Sequence, residues 1–182
     1  MRSRALEDPQ SDGRFRSEVA AHVDGLFGFA VNLSRDRTLA EDLVQETYVR
    51  ALAARNKPTP EENLRGWLFT ILRNVWRNHA RRRRPDAIDA DLERIPSPAR
   101  DPQQVLDGKE TTRRLKAAVA ALPGPFREVL VLCSVEGFSY KEAAEIVGCP
   151  AGTIMSRLAR ARALLRKSLF RDESRPALRE VR

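Results

Sequence analysis

The stretch that most constrains this chain is Ser139–Lys167, SYKEAAEIVGCPAGTIMSRLARARALLRK. It reads as two helices joined by a tight corner. Ser139 is a good N-cap, and Glu142 follows at the spacing of a capping box. Ala143, Ala144, Ile146 and Val147 carry the first helix. Gly148 stops it, because glycine enters the left-handed region without a Cβ clash. Pro150 has no amide hydrogen to give a helix interior, so it belongs to the corner or the next opening turn. Ile154, Leu158, Ala161 and Leu165 recur at steps of four, three and four, which predicts a second helix over 153–167. Small residues at the corner and branched ones opposite suit two helices crossing steeply. The pattern is that of a helix-turn-helix.

The second helix has a one-sided charge. From Ile146 to Arg171 there are six basic residues (Arg157, Arg160, Arg162, Arg166, Lys167 and Arg171) and no acid. A solvated helix face usually mixes signs, whereas a polyanion partner rewards one sign. The whole chain points the same way, with a formal net charge of +8 over 182 residues. Cys133 and Cys149 lack metal-ligand spacing and fit a reducing compartment, and no cofactor or metal is expected. His22 and His79 stand far apart, outside any catalytic motif. No apolar run reaches membrane-spanning length, and Met1–Arg16 is too polar for a signal peptide.

The expected fold class is all-α: two small helical domains joined by a flexible linker. Residues 1–16 are expected to be a disordered tail. The first domain covers 17–84. A helix is predicted over Ser17–Leu33, with Val19, Val23, Leu26, Phe27 and Ala30 inward. Thr38 is expected to cap the next helix, whose inner positions are Leu39, Leu43, Val44, Ala51 and Leu52. Its other face shows Glu41, Asp42, Gln45 and Glu46. A loop is expected at Asn56–Asn63. A long helix then runs from Leu64 into Arg84, with Trp67, Leu68, Ile71, Leu72, Val75 and Trp76 on the buried side. Arg73, Asn74, Arg77, Asn78 and Arg81 mark another side, and Arg81–Arg84 are four consecutive arginines.

Residues 85–108 hold four prolines, six acids and two bases, the composition of an extended acidic linker. The second domain, 109–170, opens with a helix over Lys109–Leu122. A Pro123-Gly124-Pro125 turn and a buried helix over Phe126–Ser134 precede the helix-turn-helix. Residues 171–182 return to a polar tail.

Two basic modules on one tether can read two sites on one nucleic acid, because the tether raises the effective concentration of the second. Thr153, Ser156 and Arg160 are placed to reach bases or phosphates in the major groove. Arg157 bonds phosphates or pairs within the domain. Asn74 and Asn78, one turn apart, suit hydrogen bonds to unstacked bases. Trp67 and Trp76 suit stacking or a core, and their apolar face favours the core. Glu41, Asp42 and Glu46 are wrong for DNA and suit a basic protein partner.

Two stretches, AEDLVQETYVRAL with NLRGWLFTILRNVWRNHARRR, and ALPGPFREVLVLCSVEGFSYKEAAEIVGCPAGTIMSRLARARALL, resemble the extracytoplasmic-function (ECF) sigma factors. With the linker they span about residues 17–170. The resemblance implies a promoter-specificity subunit of bacterial RNA polymerase. It implies that Glu41, Asp42, Gln45 and Glu46 bind core polymerase at the beta-prime clamp helices. Arg73, Asn74, Arg77, Asn78 and Arg81 would serve −10 melting. Thr153, Ser156, Arg157 and Arg160 would read the −35 element, near the beta flap. The linker would thread toward the RNA exit path. The run NLRGWLFTILRN is most similar to sigma factors of the alphaproteobacterial general stress response. An anti-sigma partner and a cytoplasmic, nucleoid-associated location are implied by the same resemblance. At Met155 and Ala159 the chain departs from the family's pattern, where many members carry a basic or larger residue near the DNA.

Three rivals remain at this level, one of them a pure interaction module that binds an anti-sigma protein as a decoy. An autonomous repressor would use the same motif on duplex DNA alone, usually as a dimer. A nucleic-acid enzyme needs a carboxylate cluster for metal or a nucleophile beside a base. The acids here lie on a helix face or in the linker, without a partner histidine.

Overall fold

The computed structural model describes residues 9–54, 63–83 and 107–170. Among them are eight α-helices: α1 Pro9–Ala20, α2 Val23–Ser34, α3 Arg37–Ala53, α4 Leu64–Arg83, α5 Asp107–Ala121, α6 Gly124–Leu130, α7 Tyr140–Val147 and α8 Ala151–Phe170. A π-helical turn, Val131–Val135, continues α6. No strand occurs among the described residues.

Helices α1–α4 form the first bundle. The single helix expected over Ser17–Leu33 is two, broken at Ala21 and His22. The tail expected to be disordered through Arg16 is helical from Pro9. Phe15 and Val19 explain the difference: both are buried, and Phe15 meets Trp67 edge-on at 6.5 Å. Burying an aromatic ring contributes about 1.5–3 kcal/mol, enough to order a short helix that composition alone marks as polar. Asp36, not Thr38, caps α3, accepting from the Leu39 amide at 3.1 Å. Trp67 and Trp76 pack against the core.

Helices α5–α8 form the second bundle. Pro123 caps α6, and Gly124 and Pro125 belong to its first turn rather than to a separate turn. Ser139 and Glu142 close the capping box of α7. Gly148 ends it at φ +65°, and the Cys149 and Gly148 amides bond the Ala144 and Glu145 carbonyls, a Schellman turn. Ile154, Leu158 and Ala161 are buried, as the periodicity requires, and Leu165 is half-buried.

The two bundles do not stand apart. Phe29, Phe69 and Phe138 form a continuous aromatic stack, with centroids 5.2 and 4.9 Å apart, that runs from α2 through α4 to the segment before α7. One contiguous apolar core includes residues of both bundles. The expected linker lies outside the described residues except for Asp107 and Gly108, which open α5. The loop expected at Asn56–Asn63 is described only at Asn63.

Candidate nucleic-acid interface

Three stripes share α4. Leu68, Leu72 and Val75 face the core of the first bundle. Asn74, Arg77, Asn78 and Arg81 recur at i, i+3, i+4 and i+7 and are all exposed. They form a polar and cationic stripe with no acid on it. Arg65, Phe69 and Arg73, each four residues apart, form a third stripe that faces the second bundle. Arg73 therefore departs from its expected company. Its Nε lies 2.5 Å from Glu128 Oε1, and the two side chains are 11% and 12% exposed. It is paired and largely covered in this arrangement.

The other end of α4 is held as tightly. Asn63 caps the helix, its Oδ1 accepting from the Gly66 amide at 2.8 Å. Its Nδ2 donates to Glu142 Oε1 at 2.9 Å, while Glu142 Oε2 accepts from the Ser139 amide at 2.9 Å. Two helix caps on different bundles are thus joined through one carboxylate. Those bonds, first with Ser139 and then with Asn63, hold the Glu142 carboxyl below its usual range. Between these ends the Arg65 guanidinium lies over Phe138 at 4.3 Å and Phe69 at 5.3 Å and pairs with Glu136 at 2.7 Å. Nothing in the periodicity singles out Arg65 or the three acids. Their signal is a charged residue at a position that helical spacing places next to the core.

Arg127 escapes sequence reasoning for the same reason. It is 6% exposed, inside an otherwise apolar run. It donates to the carbonyls of Asn32 at 2.6 Å, Ala120 at 3.2 Å and Leu122 at 2.8 Å. Asn32 lies near the end of α2, and Ala120 and Leu122 at the end of α5, where unsatisfied carbonyls gather. Arg35 donates to the same Leu122 carbonyl at 3.2 Å.

On α8, Thr153, Ser156, Arg157 and Arg160 share one stripe at i, i+3, i+4 and i+7. Ser156 and Arg160 are exposed, Thr153 and Arg157 half-buried. Ser156 Oγ donates to its own helix at the Thr153 carbonyl, 3.0 Å away, leaving its lone pairs outward. Met155 is exposed beside them. On α3, Glu41, Asp42, Gln45 and Glu46 are all exposed. Val49, 59% exposed, extends that stripe with an apolar patch that no pattern in the sequence marks. Arg37 and Arg50 pair with Glu41 and Glu46 at the surface, contacts that yield readily to a competing partner.

Among the described residues no three His, Cys, Asp or Glu side chains gather for a metal, and no helix is long and apolar enough to cross a membrane. Burial raises the Cys133 thiol, against a smaller lowering by Arg162, so it is no activated nucleophile.

The molecule is thus an all-helical protein with an acidic helix face, a polar cationic helix face and a helix-turn-helix. Known proteins say which class this is. Residues 19–85 match the Sigma-70 region 2 family, and residues 112–165 match Sigma-70, region 4. The ECF RNA polymerase sigma factor EcfG of Rhodopseudomonas palustris is 43% identical over 159 residues, 86% of each chain. The sigma factor RpoE of Bartonella quintana, solved in complex with the anti-sigma factor NepR, is 38% identical. Its match covers 89% of this chain and 99% of that one at a TM-score of 0.68. CnrH, solved with the cytosolic domain of CnrY, is 27% identical over 93% of this chain and 92% of its own, at a TM-score of 0.61. The chain belongs to the ECF sigma factors.

Proposed function

We propose that this sigma factor directs core RNA polymerase to its promoters through the three faces described, and that it performs no chemistry itself. The α3 stripe of Glu41, Asp42, Gln45 and Glu46 docks on the beta-prime clamp helices, with Val49 adding apolar contact. The α4 stripe of Asn74, Arg77, Asn78 and Arg81 holds the melted −10 strand, joined by Arg73 once Glu128 lets go. The α8 stripe of Thr153, Ser156, Arg157 and Arg160 enters the −35 major groove near the beta flap. Division of labour by charge carries the reading: the exposed acidic stripe stands on α3, while the exposed cationic stripes stand on α4 and α8. An autonomous repressor has no use for that acidic face.

The protein works in the cytoplasm, with polymerase on the nucleoid. An anti-sigma factor controls it, of the small helical kind used in the alphaproteobacterial general stress response. The likeness to EcfG and to RpoE solved with NepR supports this.

Run-off transcription with core polymerase and genomic fragments tests the whole reading, with selective initiation expected. Charge reversal at Glu41, Asp42 and Glu46 should abolish assembly with core while leaving duplex binding by α8 intact. Asn74→Ala should slow promoter melting, read by permanganate reactivity, with core binding unchanged. Assembly that survives the charge reversal refutes the α3 assignment.

A further inference from the structure

We propose that Met155 is a specificity-determining residue of α8: its thioether arm packs on the 5-methyl group of a thymine in the −35 element and selects that base by apolar contact. The proposal rests on the assignment of α8 to the −35 major groove and adds one base that the helix accepts there.

The inner face of α8 is complete without Met155. Ile154, Leu158 and Ala161 are buried there, while Met155 is 55% exposed. At about 100° per residue, Met155 and Arg160 stand about 140° apart across the outward face, with Gly152, Ser156 and Ala159 between them. All five are exposed. Thr153, Arg157 and Arg160 therefore cover one flank of the helix. Met155, Ala159, Arg162 and Arg166, at i, i+4, i+7 and i+11, cover the other, and all four are exposed. On this second flank the cations begin only at Arg162, about 10 Å along the axis from Met155. Its first two turns, the part of such a helix that meets base edges, present Met155 and Ala159 alone. Among the four bases only thymine offers an apolar group in the major groove, its 5-methyl. Against a donor or acceptor, Met155 would displace water and return no hydrogen bond. Against a methyl, both apolar surfaces leave water together.

The neighbours of Met155 fit the same surface. A Cβ added to Gly152 would meet nothing within 4 Å, so packing within the fold does not ask for glycine there. A partner that approaches the backbone closely does. Ser156 Oγ donates to the Thr153 carbonyl at 3.0 Å and so faces outward as an acceptor. That suits the exocyclic amine of adenine or cytosine. Arg160, on the far flank, carries the donors that guanine takes. The methyl of thymine is the one feature of the groove that these side chains leave unread, and Met155 is the one long apolar side chain beside them. An exposed methionine also suits a protein partner. Two observations favour DNA here: Arg162 and Arg166 continue the flank of Met155, and no acid stands between Ile146 and Arg171.

The test uses holoenzyme assembled from core polymerase and the full chain, on promoter duplex taken from fragments that initiate in run-off transcription. Each thymine of the −35 element, on either strand, is replaced in turn by deoxyuridine. The exchange removes the methyl and leaves the base pair intact. At one thymine, or at two neighbours, the parent should lose about fourfold in affinity, the effect of one buried methyl group. Met155→Ala should bind the thymine and deoxyuridine duplexes equally. Met155→Leu keeps an apolar arm and should keep the response. The slope of log K against log salt should be the same for all three proteins, because no phosphate contact is gained or lost. Their thermal midpoints should agree, since the residue is exposed. A −35 element in which no thymine methyl matters overturns the proposal. So does a methyl response that survives Met155→Ala. A Met155→Ala chain that assembles poorly with core assigns the residue to a protein contact and overturns it too. Run-off transcription separates the two levels. Selective initiation by the parent without any methyl response removes this role of Met155 and leaves the sigma reading standing. No selective initiation by the parent removes both.

Discussion

Replacing Arg127 by methionine should destabilise the folded chain by about 3 kcal/mol. The magnitude comes from three acceptors and one desolvated charge. Arg127 donates to the Asn32, Ala120 and Leu122 carbonyls at 2.6–3.2 Å. Hydrogen bonds from a charged donor contribute about 1.5–3 kcal/mol each, which gives roughly 4.5–9 kcal/mol in all. Taking the guanidinium out of water costs several kcal/mol and offsets about half of that. Methionine fills much of the volume, so the cavity term stays small. The remainder is dominated by the Asn32 and Ala120 carbonyls, since Arg35 still reaches Leu122, and lies close to the roughly 3–5 kcal/mol seen when one partner of a buried charged contact is removed. With a urea slope of about 2 kcal/mol/M, the midpoint should fall by about 1.5 M. Lysine keeps the charge but carries one donor group, so Arg127→Lys should fall between the parent and the methionine variant. Of the three bonds, the one to Asn32 crosses from the second bundle to the first. Its loss should also enlarge the radius of gyration before unfolding begins. If Arg127→Met unfolds within about 0.3 M urea of the parent, the carbonyls are satisfied without it and the reasoning fails.

Arg160→Ala should weaken binding of a polymerase-assembled complex to −35 duplex by about 1–3 kcal/mol if the guanidinium meets a base edge. Unchanged promoter affinity removes that contact. Gly148→Ala should cost about 1–2 kcal/mol through backbone strain alone, since φ is +65° and an added Cβ meets nothing within 4 Å. Thermal unfolding reads it, and an unshifted midpoint contradicts the strain. Burial first, and then the charge of Arg65, hold the His22 pKa below its ordinary 6.5. The fold keeps His22 neutral, while the unfolded chain takes up a proton near its ordinary pKa of 6.5. That stability is therefore present above about pH 6.5 and lost as pH falls toward the lowered native value. Urea midpoints between about pH 8 and 5 should decline more for the parent than for His22→Gln, and parallel curves count against it.

Legibility in this chain depends on which signals are local. A cap, a stop and a period of apolar residues are written within a few positions. So Ser139, Glu142, Gly148 and the Ile154, Leu158, Ala161 face can be read from the sequence as they stand in the fold. Thr38 fails for an equally local reason: Asp36 offers a cap two residues earlier, accepts from the Leu39 amide and starts the helix there. The exposed stripe of Asn74, Arg77, Asn78 and Arg81 is legible because helical spacing alone sorts them from Leu68, Leu72 and Val75. Arg73 is not, since one step of about 100° around α4 moves a side chain from solvent to the facing bundle. Only the partner, 55 residues away at Glu128, decides which it is. The same holds for Phe15, whose burial depends on Trp67, and for Arg65, which needs Phe138 and Glu136. Charge composition predicts two cationic modules held only by a tether. The fold joins them because the acids that a net count dilutes are gathered where α4 presents its arginines. A sum of charges cannot foresee that placement: of the 25 acids in a +8 chain, Glu128 and Glu136 are the ones that meet Arg73 and Arg65 across the bundles, beside the apolar core that joins them.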